Sequence, residues 1–239
     1  MIFYKPLPLI RAISFDLDDT LYNNMPFIHE AERCLTEYIQ SKYPETSALS
    51  RSDWKKIRTS VLLSRPELSN DMGLLRKNVL TQAFLIVGLR DKQLENAVID
   101  CFDYFYFKRS DFKVDDGVIK ILKKLSKRVP LLAITNGNVD CEAIGIAPFF
   151  TYILHASVDM PMKPAMDMFN KASDHLNIPS KNILHVGDHL DKDVLGATRA
   201  GYQSAWLAVN RDMSLMKERA LVLPNVQLAA LSELKQLVK

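Results

Sequence analysis

Two short acidic stretches, ISFDLDDTLYNN and HVGDHLDKDV, each follow an apolar run of strand length. The run from Ile10 to Phe15 delivers Asp16 to a strand end, with Asp18 two residues beyond; the run from Ile183 to Val186 delivers Asp188, with Asp193 a turn further on. In open α/β sheets ligands bind outside the carboxyl ends of the strands, so these acids lie where chemistry is expected. Two carboxylates about 4 Å apart repel by about 4 kcal/mol at an effective dielectric near 20, which a fold tolerates only with a cation, a proton or solvent between them. Hard cations such as Mg2+ take oxygen ligands and keep several waters, so two strand-end carboxylates and a backbone carbonyl are an adequate site. Asp191, nearby, reads as a solvated surface acid.

Two complementary segments lie between the acidic ones. LLAITNGN ends a buried run in Thr135, Asn136 and Gly137, which offer a hydroxyl, an amide and backbone N–H groups, the donors that a phosphate oxygen needs. PMKPAMDMF sets Lys163 before Pro164, whose fixed φ suits the first position of a helix carrying Phe169. Taken singly, each segment also has an ordinary structural reading. An acidic loop can cap a helix, TNG is a common turn, and most lysines are solvated charges.

The elements that must position these residues follow from periodicity. Apolar runs suited to buried parallel strands are Ile10 to Phe15, Leu131 to Thr135, Tyr152 to Ala156, Ile183 to Val186, Ser204 to Leu207 and Leu221 to Leu223. Helical stripes alternate with them from residue 111 onward: Val118, Ile121, Leu122 and Leu125; then Ala165, Phe169, Ala172 and Leu176; then a helix over Asp193 to Ala200 that stops at Gly201. That alternation predicts an α/β fold with a doubly wound, Rossmann-like parallel sheet. Residues 23–110 differ, with successive helical stripes and few strand-like runs. Phe27, Ala31, Cys34, Leu35 and Tyr38 form one stripe, Trp54, Ile57 and Val61 a second capped by Ser52 or Asp53, and Leu94, Val98, Cys101 and Phe105 another, with Met72 to Val87 a further helix. The expected organisation is a core of residues 1–22 and 111–239 with an all-helical insert at 23–110.

Composition narrows the class. A chain of 239 residues, 48% hydrophobic, can fill a sizeable core, and a net charge of +3 carries no electrostatic case for a nucleic-acid or anionic-membrane partner. Cys34, Cys101 and Cys141 are odd in number and widely spaced, which fits a reducing compartment. Pro6 and Pro8 interrupt any leader-like apolar region, so the expectation is a cytoplasmic protein, a monomer or a weak homodimer, acting on a small molecule.

The four chemical segments come in one order, DxDxT, T, K and GDxxxxD, each at a strand end. In that order the chain resembles the haloacid dehalogenase superfamily of phosphohydrolases: FDLDDTLY resembles its first motif, ITNGN its second, KP its third and GDHLDKD its fourth. The insert resembles the C1 helical cap of the first subfamily. The start MIFYKPLPLIRAISFDLDDTLYNN, with AITNGN and ILHVGD, is similar to the bacterial flavin mononucleotide phosphatase branch, which also accepts a phosphorylated ribitylaminouracil of riboflavin synthesis. The resemblance implies a Mg2+-dependent phosphatase with an aspartyl-phosphate intermediate. Asp16 would be the nucleophile and Asp18 the acid and base. Asp16, the Asp18 carbonyl and Asp188 would hold the metal, with Asp193 binding it directly or through water, or orienting Lys163. Thr135, Asn136 and Gly137 would hold phosphate, and Lys163 would balance the acids.

Substrate choice would fall to the insert, where the aromatic run Phe102 to Phe107 either packs internally or offers a ring to a flavin, and where Tyr22 and Asn23 form the exit to it. Two other readings stand beside this one. A phosphomutase keeps both acids of the first motif, and a phospho-aspartate receiver module uses similar residues in a shorter chain and a different order.

Overall fold

The computed structural model of the chain describes residues 1–238. Seven strands form one sheet: β1 (Ile2–Phe3), β2 (Ala12–Phe15), β3 (Leu131–Thr135), β4 (Tyr152–His155), β5 (Ile183–Gly187), β6 (Gln203–Trp206) and β7 (Val226–Gln227). Their order is β1-β7-β6-β5-β2-β3-β4, parallel throughout except for β1 against β7. Every residue of β2, β3 and β5 is buried, as strands covered on both faces require. The chain begins the parallel sheet at β2, steps outward through β3 and β4, then crosses to the opposite side of β2 as β5 and continues outward. That reversal creates a switch point beside β2, where a ligand crevice is expected. Phe15 is level with Ala133 on one side and Val186 on the other, so Asp16 leaves the sheet beside Gly187 and close to the end of β3.

Helices cover this sheet as the stripes require. One helix, Asp116–Leu125, is capped by the Asp115 carboxylate, which accepts from Gly117 N at 2.7 Å, and buries Leu122 and Leu125. Another, Asp167–Leu176, buries Phe169 and Ala172 against Ile134, Leu154 and Tyr202. Three expectations change here. Pro164 does not open the second helix: a turn closed by Ala165 N and the Met162 carbonyl intervenes, and the helix begins at Asp167. Leu221 to Leu223 is not a strand. Leu221 and Leu223 are exposed, Pro224 lacks the N–H that a sheet needs, and pairing starts only after it, with Asn225 N bound to the Ser204 carbonyl and β7 beyond. The helix over Asp193 to Ala200 is two pieces, a π-helical stretch at Leu190–Leu195 and an α-helix at Gly196–Arg199. Gly201 follows at φ 79°, the left-handed position a helix stop favours.

Between β2 and the Asp116–Leu125 helix lie four α-helices, α1 (Met25–Lys42), α2 (Arg51–Ser64), α3 (Met72–Ile86) and α4 (Asp91–Arg109); the two helices above are then α5 (Asp116–Leu125) and α6 (Asp167–Leu176), and Gly196–Arg199 is α7. Ala31, Leu35 and Ile39 of α1 share one buried cluster with Leu80 and Phe84 of α3 and Ala97, Cys101 and Phe105 of α4. Ser50, rather than Ser52 or Asp53, caps α2; Asp53 answers it from the third helical position, and together they make a capping box. The aromatic run of α4 does not face one way. Phe105 is buried, Phe102 stacks with Tyr106, Tyr104 stacks on Tyr38, and Phe107 is exposed.

Two compact units result. One comprises Met1–Asn24, Lys113–Gly137 and the chain from Cys141 onward; the other comprises Met25–Phe112 with Asn138–Asp140. No helix among the described residues is long and apolar enough to cross a membrane.

Candidate active site

Asp16 follows β2, and its backbone N–H donates to the Val186 carbonyl of β5 at 2.8 Å, which ties the two acidic segments together at their bases. After it the chain turns sharply. Leu21 N reaches back to the Leu17 carbonyl at 2.9 Å, Asp19 N to the Tyr22 carbonyl at 2.8 Å, and Asp19 adopts φ 61°. The turn returns Tyr22 beside Asp18, where its hydroxyl donates to Asp18 Oδ1 at 2.6 Å.

Lys163 is 1% exposed, and its ammonium meets three acceptors: Asp16 Oδ1 at 2.6 Å, Asp193 Oδ1 at 2.7 Å and the Ile134 carbonyl at 2.6 Å. Three donors and three acceptors leave no unmet proton on a buried charge, which is the condition for tolerating it. Burial opposes the ammonium, but Asp16 and Asp193 outweigh it and hold its pKa above the ordinary lysine value. Burial raises the Asp16 carboxyl well above its usual range, opposed by Lys163 and reinforced by Asp193 and Asp18. Burial works the same way on Asp193, yet Lys163 and His185 overcome it and hold that carboxyl low.

The end of β3 supplies donors. The Thr135 hydroxyl accepts from Gly137 N at 3.0 Å, so its own proton remains to be donated. Asn136 does something the sequence did not suggest: its side chain pairs twice with the backbone of Lys163, accepting from Lys163 N at 2.8 Å and donating to its carbonyl at 3.0 Å. The side-chain amide is thereby committed to holding Lys163 in place. A Cβ at Gly137 would stand 2.6 Å from Asp18 Oδ2, so any side chain there would displace that carboxylate.

Asp188 emerges at the end of β5 as its pattern predicts, and Asp193 lies in the π-helical stretch. His189 caps that stretch: its Nδ1 accepts from Asp191 N and Lys192 N at 3.2 and 3.3 Å, and its carbonyl accepts from Asp193 N and Val194 N. One such widened turn is a frequent mark of functional sites. It brings Asp193 over Gly187, where Oδ2 accepts from His189 N at 2.9 Å. One carboxylate oxygen each from Asp16, Asp188 and Asp193 lie within 4.8 Å of one another, and this triad can hold a metal ion. The Asp18 carboxylate stands outside the triad. Asp188 tests the fit: burial first and Asp193 second push its carboxyl up to about 6, against the opposing pull of Arg211. An all-oxygen set in which two members, Asp16 and Asp188, are held above the usual carboxylate range is the donor set of a hard cation.

The cavity at these strand ends is about 200 Å3 and is bounded by Asp16, Asp18, Thr135, Gly137, Lys163 and Asp188, with Asn24, His189 and Lys192 also on its wall. Three residues to which the motif reading gave no role also bear on the site. His185 of β5 is fully buried, and burial lowers its pKa to about 4, so it is neutral. Asp193 Oδ1, 3.2 Å from Nε2, can only accept, which puts the proton on Nε2 and leaves Nδ1 to accept from the Ser14 hydroxyl at 2.9 Å. Trp206 Nε1 donates to the Asp188 carbonyl at 2.7 Å, and Arg211 Nη1 pairs with Asp188 Oδ2 at 2.8 Å. A histidine in the middle of the buried apolar run of β5 is the signal that could have found His185; Arg211 lies in an irregular stretch where no periodicity marks it.

The comparisons with known proteins agree with this geometry. The haloacid dehalogenase-like hydrolase family matches residues 10–201. The chain is 35% identical over 238 residues to the 5-amino-6-(5-phospho-D-ribitylamino)uracil phosphatase of Escherichia coli (strain K12), covering 100% of both chains. Among solved structures, a 2-haloacid dehalogenase from Pseudomonas syringae pv. Tomato DC3000 is similar with a TM-score of 0.86 and 28% identity, over 96% of this chain and 98% of that one. The HAD-hydrolase YfnB from Bacillus subtilis, bound to magnesium, shares the fold with a TM-score of 0.64 at 20% identity, over 96% and 98% of the two chains. This chain belongs to the haloacid dehalogenase-like hydrolase family. Within that family it is a phosphatase, a phosphoric monoester hydrolase.

Proposed function

We propose that the protein is a Mg2+-dependent phosphatase that works through an aspartyl-phosphate at Asp16, and that its substrate is a riboflavin-pathway ribityl phosphate or flavin mononucleotide. The observation that carries the chemistry is the setting of Asp16: a strand-end carboxylate with one oxygen tied to a buried ammonium, within 4.8 Å of two further acids. The substrate class rests on the full-length likeness to the ribitylaminouracil phosphatase.

Phosphate monoester hydrolysis is so slow in water that a catalyst can be asked for accelerations approaching ~10²¹, most of it from positioning and charge neutralisation. Lys163 holds Asp16 Oδ1, so Oδ2, whose contact with the Thr20 hydroxyl is a long 3.5 Å, is the oxygen left to attack phosphorus. An Oδ2–P bond forms as the bond to the ester oxygen breaks, and Asp18 gives that oxygen a proton. In the second step Asp18 takes a proton from water as the water attacks the phosphoaspartate, which releases phosphate and restores Asp16. Tyr22 steadies Asp18 for both duties by binding Oδ1, and the Gly137 backbone leaves room for Oδ2. The Thr135 hydroxyl and backbone N–H groups after β3 hold the transferring group, while Asn136 fixes the backbone of Lys163. Mg2+, held by Asp16, Asp188 and the Asp18 carbonyl, would neutralise charge on the phosphoryl group. Asp193, engaged by Lys163, His185 and His189, serves chiefly to orient the ammonium.

The likeness to a dehalogenase raises a second reading, and Asp18 speaks against it, because displacement of halide needs no proton donor for the leaving group. The test compares kcat/KM for phosphate release from the ribityl phosphate, flavin mononucleotide, sugar phosphates and nucleotides, with Mg2+ and with EDTA. A strong preference for the first two, abolished by EDTA, is expected. A flat and inefficient profile would reject the substrate assignment, activity undiminished by EDTA would reject the metal, and transfer to a second sugar hydroxyl instead of water would indicate a phosphomutase.

A further inference from the structure

Arg211 belongs to none of the four motifs and lies in the irregular chain between β6 and β7, yet it grips Asp188 twice. Nη1 donates to Oδ2 at 2.8 Å and Nη2 to the backbone carbonyl at 2.8 Å. With Trp206 Nε1 on the same carbonyl, both lone pairs of that oxygen are used, and Oδ1 is the one oxygen of Asp188 that accepts no hydrogen bond among the described residues. Two nitrogens of one planar fork on two oxygens of one residue set its rotamer as well as its place. The fork is itself held, by Glu218 Oε1 on Nε at 3.1 Å and Oε2 on Nη2 at 3.0 Å. The segment is anchored at both acidic turns: Leu207 N binds the Gly187 carbonyl at 2.9 Å, and Val209 N binds the Asp19 carbonyl at 3.1 Å.

We propose that Arg211, oriented by Glu218, is a positioning residue that presents Asp188 as a one-oxygen ligand to the divalent cation. The proposal rests on the metal-dependent reading above and adds to it where affinity for the cation is set. Charge alone argues the opposite way: a guanidinium beside the site repels a cation, so its removal should tighten binding. Loss of a clamp should loosen it. The sign of the change in affinity therefore separates a positioning role from mere proximity.

Magnesium chloride is titrated calorimetrically, without substrate, into the full-length wild type and the Arg211→Gln, Arg211→Lys and Glu218→Gln variants, with thermal melting of each as the check on folding. Arg211→Gln is expected to weaken the Mg2+ Kd by about 10–100-fold, the usual scale for losing an outer partner of a metal ligand. Arg211→Lys keeps the charge but cannot span both oxygens, so it should not restore affinity, and Glu218→Gln should shift it the same way by a smaller factor. In turnover, the Mg2+ concentration for half-maximal rate should rise by more than kcat at saturating Mg2+ falls. An unchanged or tighter Kd in Arg211→Gln, or full rescue by Arg211→Lys, overturns the proposal; if Arg211→Gln does not fold, unchanged Kd values in the other two do so. A wild type that takes up no Mg2+ removes the metal reading itself, an outcome distinct from normal wild-type binding with indifferent variants.

Discussion

Gly187→Ala adds one methyl group at the last residue of β5, and the structure gives it nowhere to go. Its carbon would stand 2.2 Å from Asp193 Cγ and 2.4 Å from Asp193 Cβ. Carbon atoms pack at about 3.5–4.0 Å, so something must move by more than about 1 Å. The strand is paired on both sides, to β2 and β6, and Asp193 is the part that can swing. Turning it away breaks the pair with Lys163 at 2.7 Å, the bond to His185 at 3.2 Å and the bond from His189 N at 2.9 Å. Removing one partner from a buried ion pair costs about 3–5 kcal/mol. At roughly 2–4 °C per kcal/mol for a chain of this size, Gly187→Ala should melt roughly 6–20 °C below the wild type. Circular dichroism melts with parallel phosphate-release assays check it. A melting temperature within about 2 °C of wild type, with normal turnover, would refute the claim that Asp193 is wedged over Gly187 and needed there.

Other expectations are as specific. Gly137→Ala drives a methyl group into Asp18 Oδ2 and should lower kcat by about 100-fold or more, the scale of a misplaced acid and base, in a protein whose melt shows it folded; unaltered steady-state kinetics would contradict it. Asp18→Asn should slow turnover by about 10²–10⁴-fold and allow labelled phosphate to be trapped on the protein by acid quench, and normal hydrolysis would remove its acid and base role. Asp188, with its carboxyl near 6 when no cation is bound, carries a proton below that pH which a cation must displace. Calorimetry should therefore find Mg2+ affinity falling by about tenfold or more per pH unit below about 6, and an affinity indifferent to pH there would count against Asp188 as a ligand.

Much of the site was legible because its residues sit at the ends of apolar runs, where strand identity and side-chain placement are the same question. Asp16, Thr135 and Asp188 were found that way, and so was Asn136 as a neighbour of the site. Its actual work was not: an amide that folds back onto the Lys163 backbone looks, in sequence, like one that faces a ligand. Pro164 misled for a related reason, since its φ suits either a helix start or a turn, and the bond from Ala165 N to the Met162 carbonyl decides for the turn. Leu221 to Leu223 had the composition of a strand, but Pro224 postpones pairing to Val226. Arg211 had no signal at all, because nothing periodic precedes it and its partner lies twenty-three positions earlier in the chain.

The order of the strands has a consequence for how the chain emerges during synthesis. Ile13 pairs with Leu131 and Ala12 with Ile183, so β2, the first of the parallel strands to be made, finds both neighbours more than a hundred residues later. Meanwhile α1, α3 and α4 bury one shared cluster, through contacts nearer in sequence than those of the sheet, and nearer contacts form earlier. A nascent chain thus carries an unpaired, largely apolar ribbon as well as an already ordered bundle, and Asp16 and Lys163 first meet only after Lys163 has left the ribosome. Arrest before β5 would leave that ribbon half paired, the form in which such a chain is most apt to stick to its neighbours.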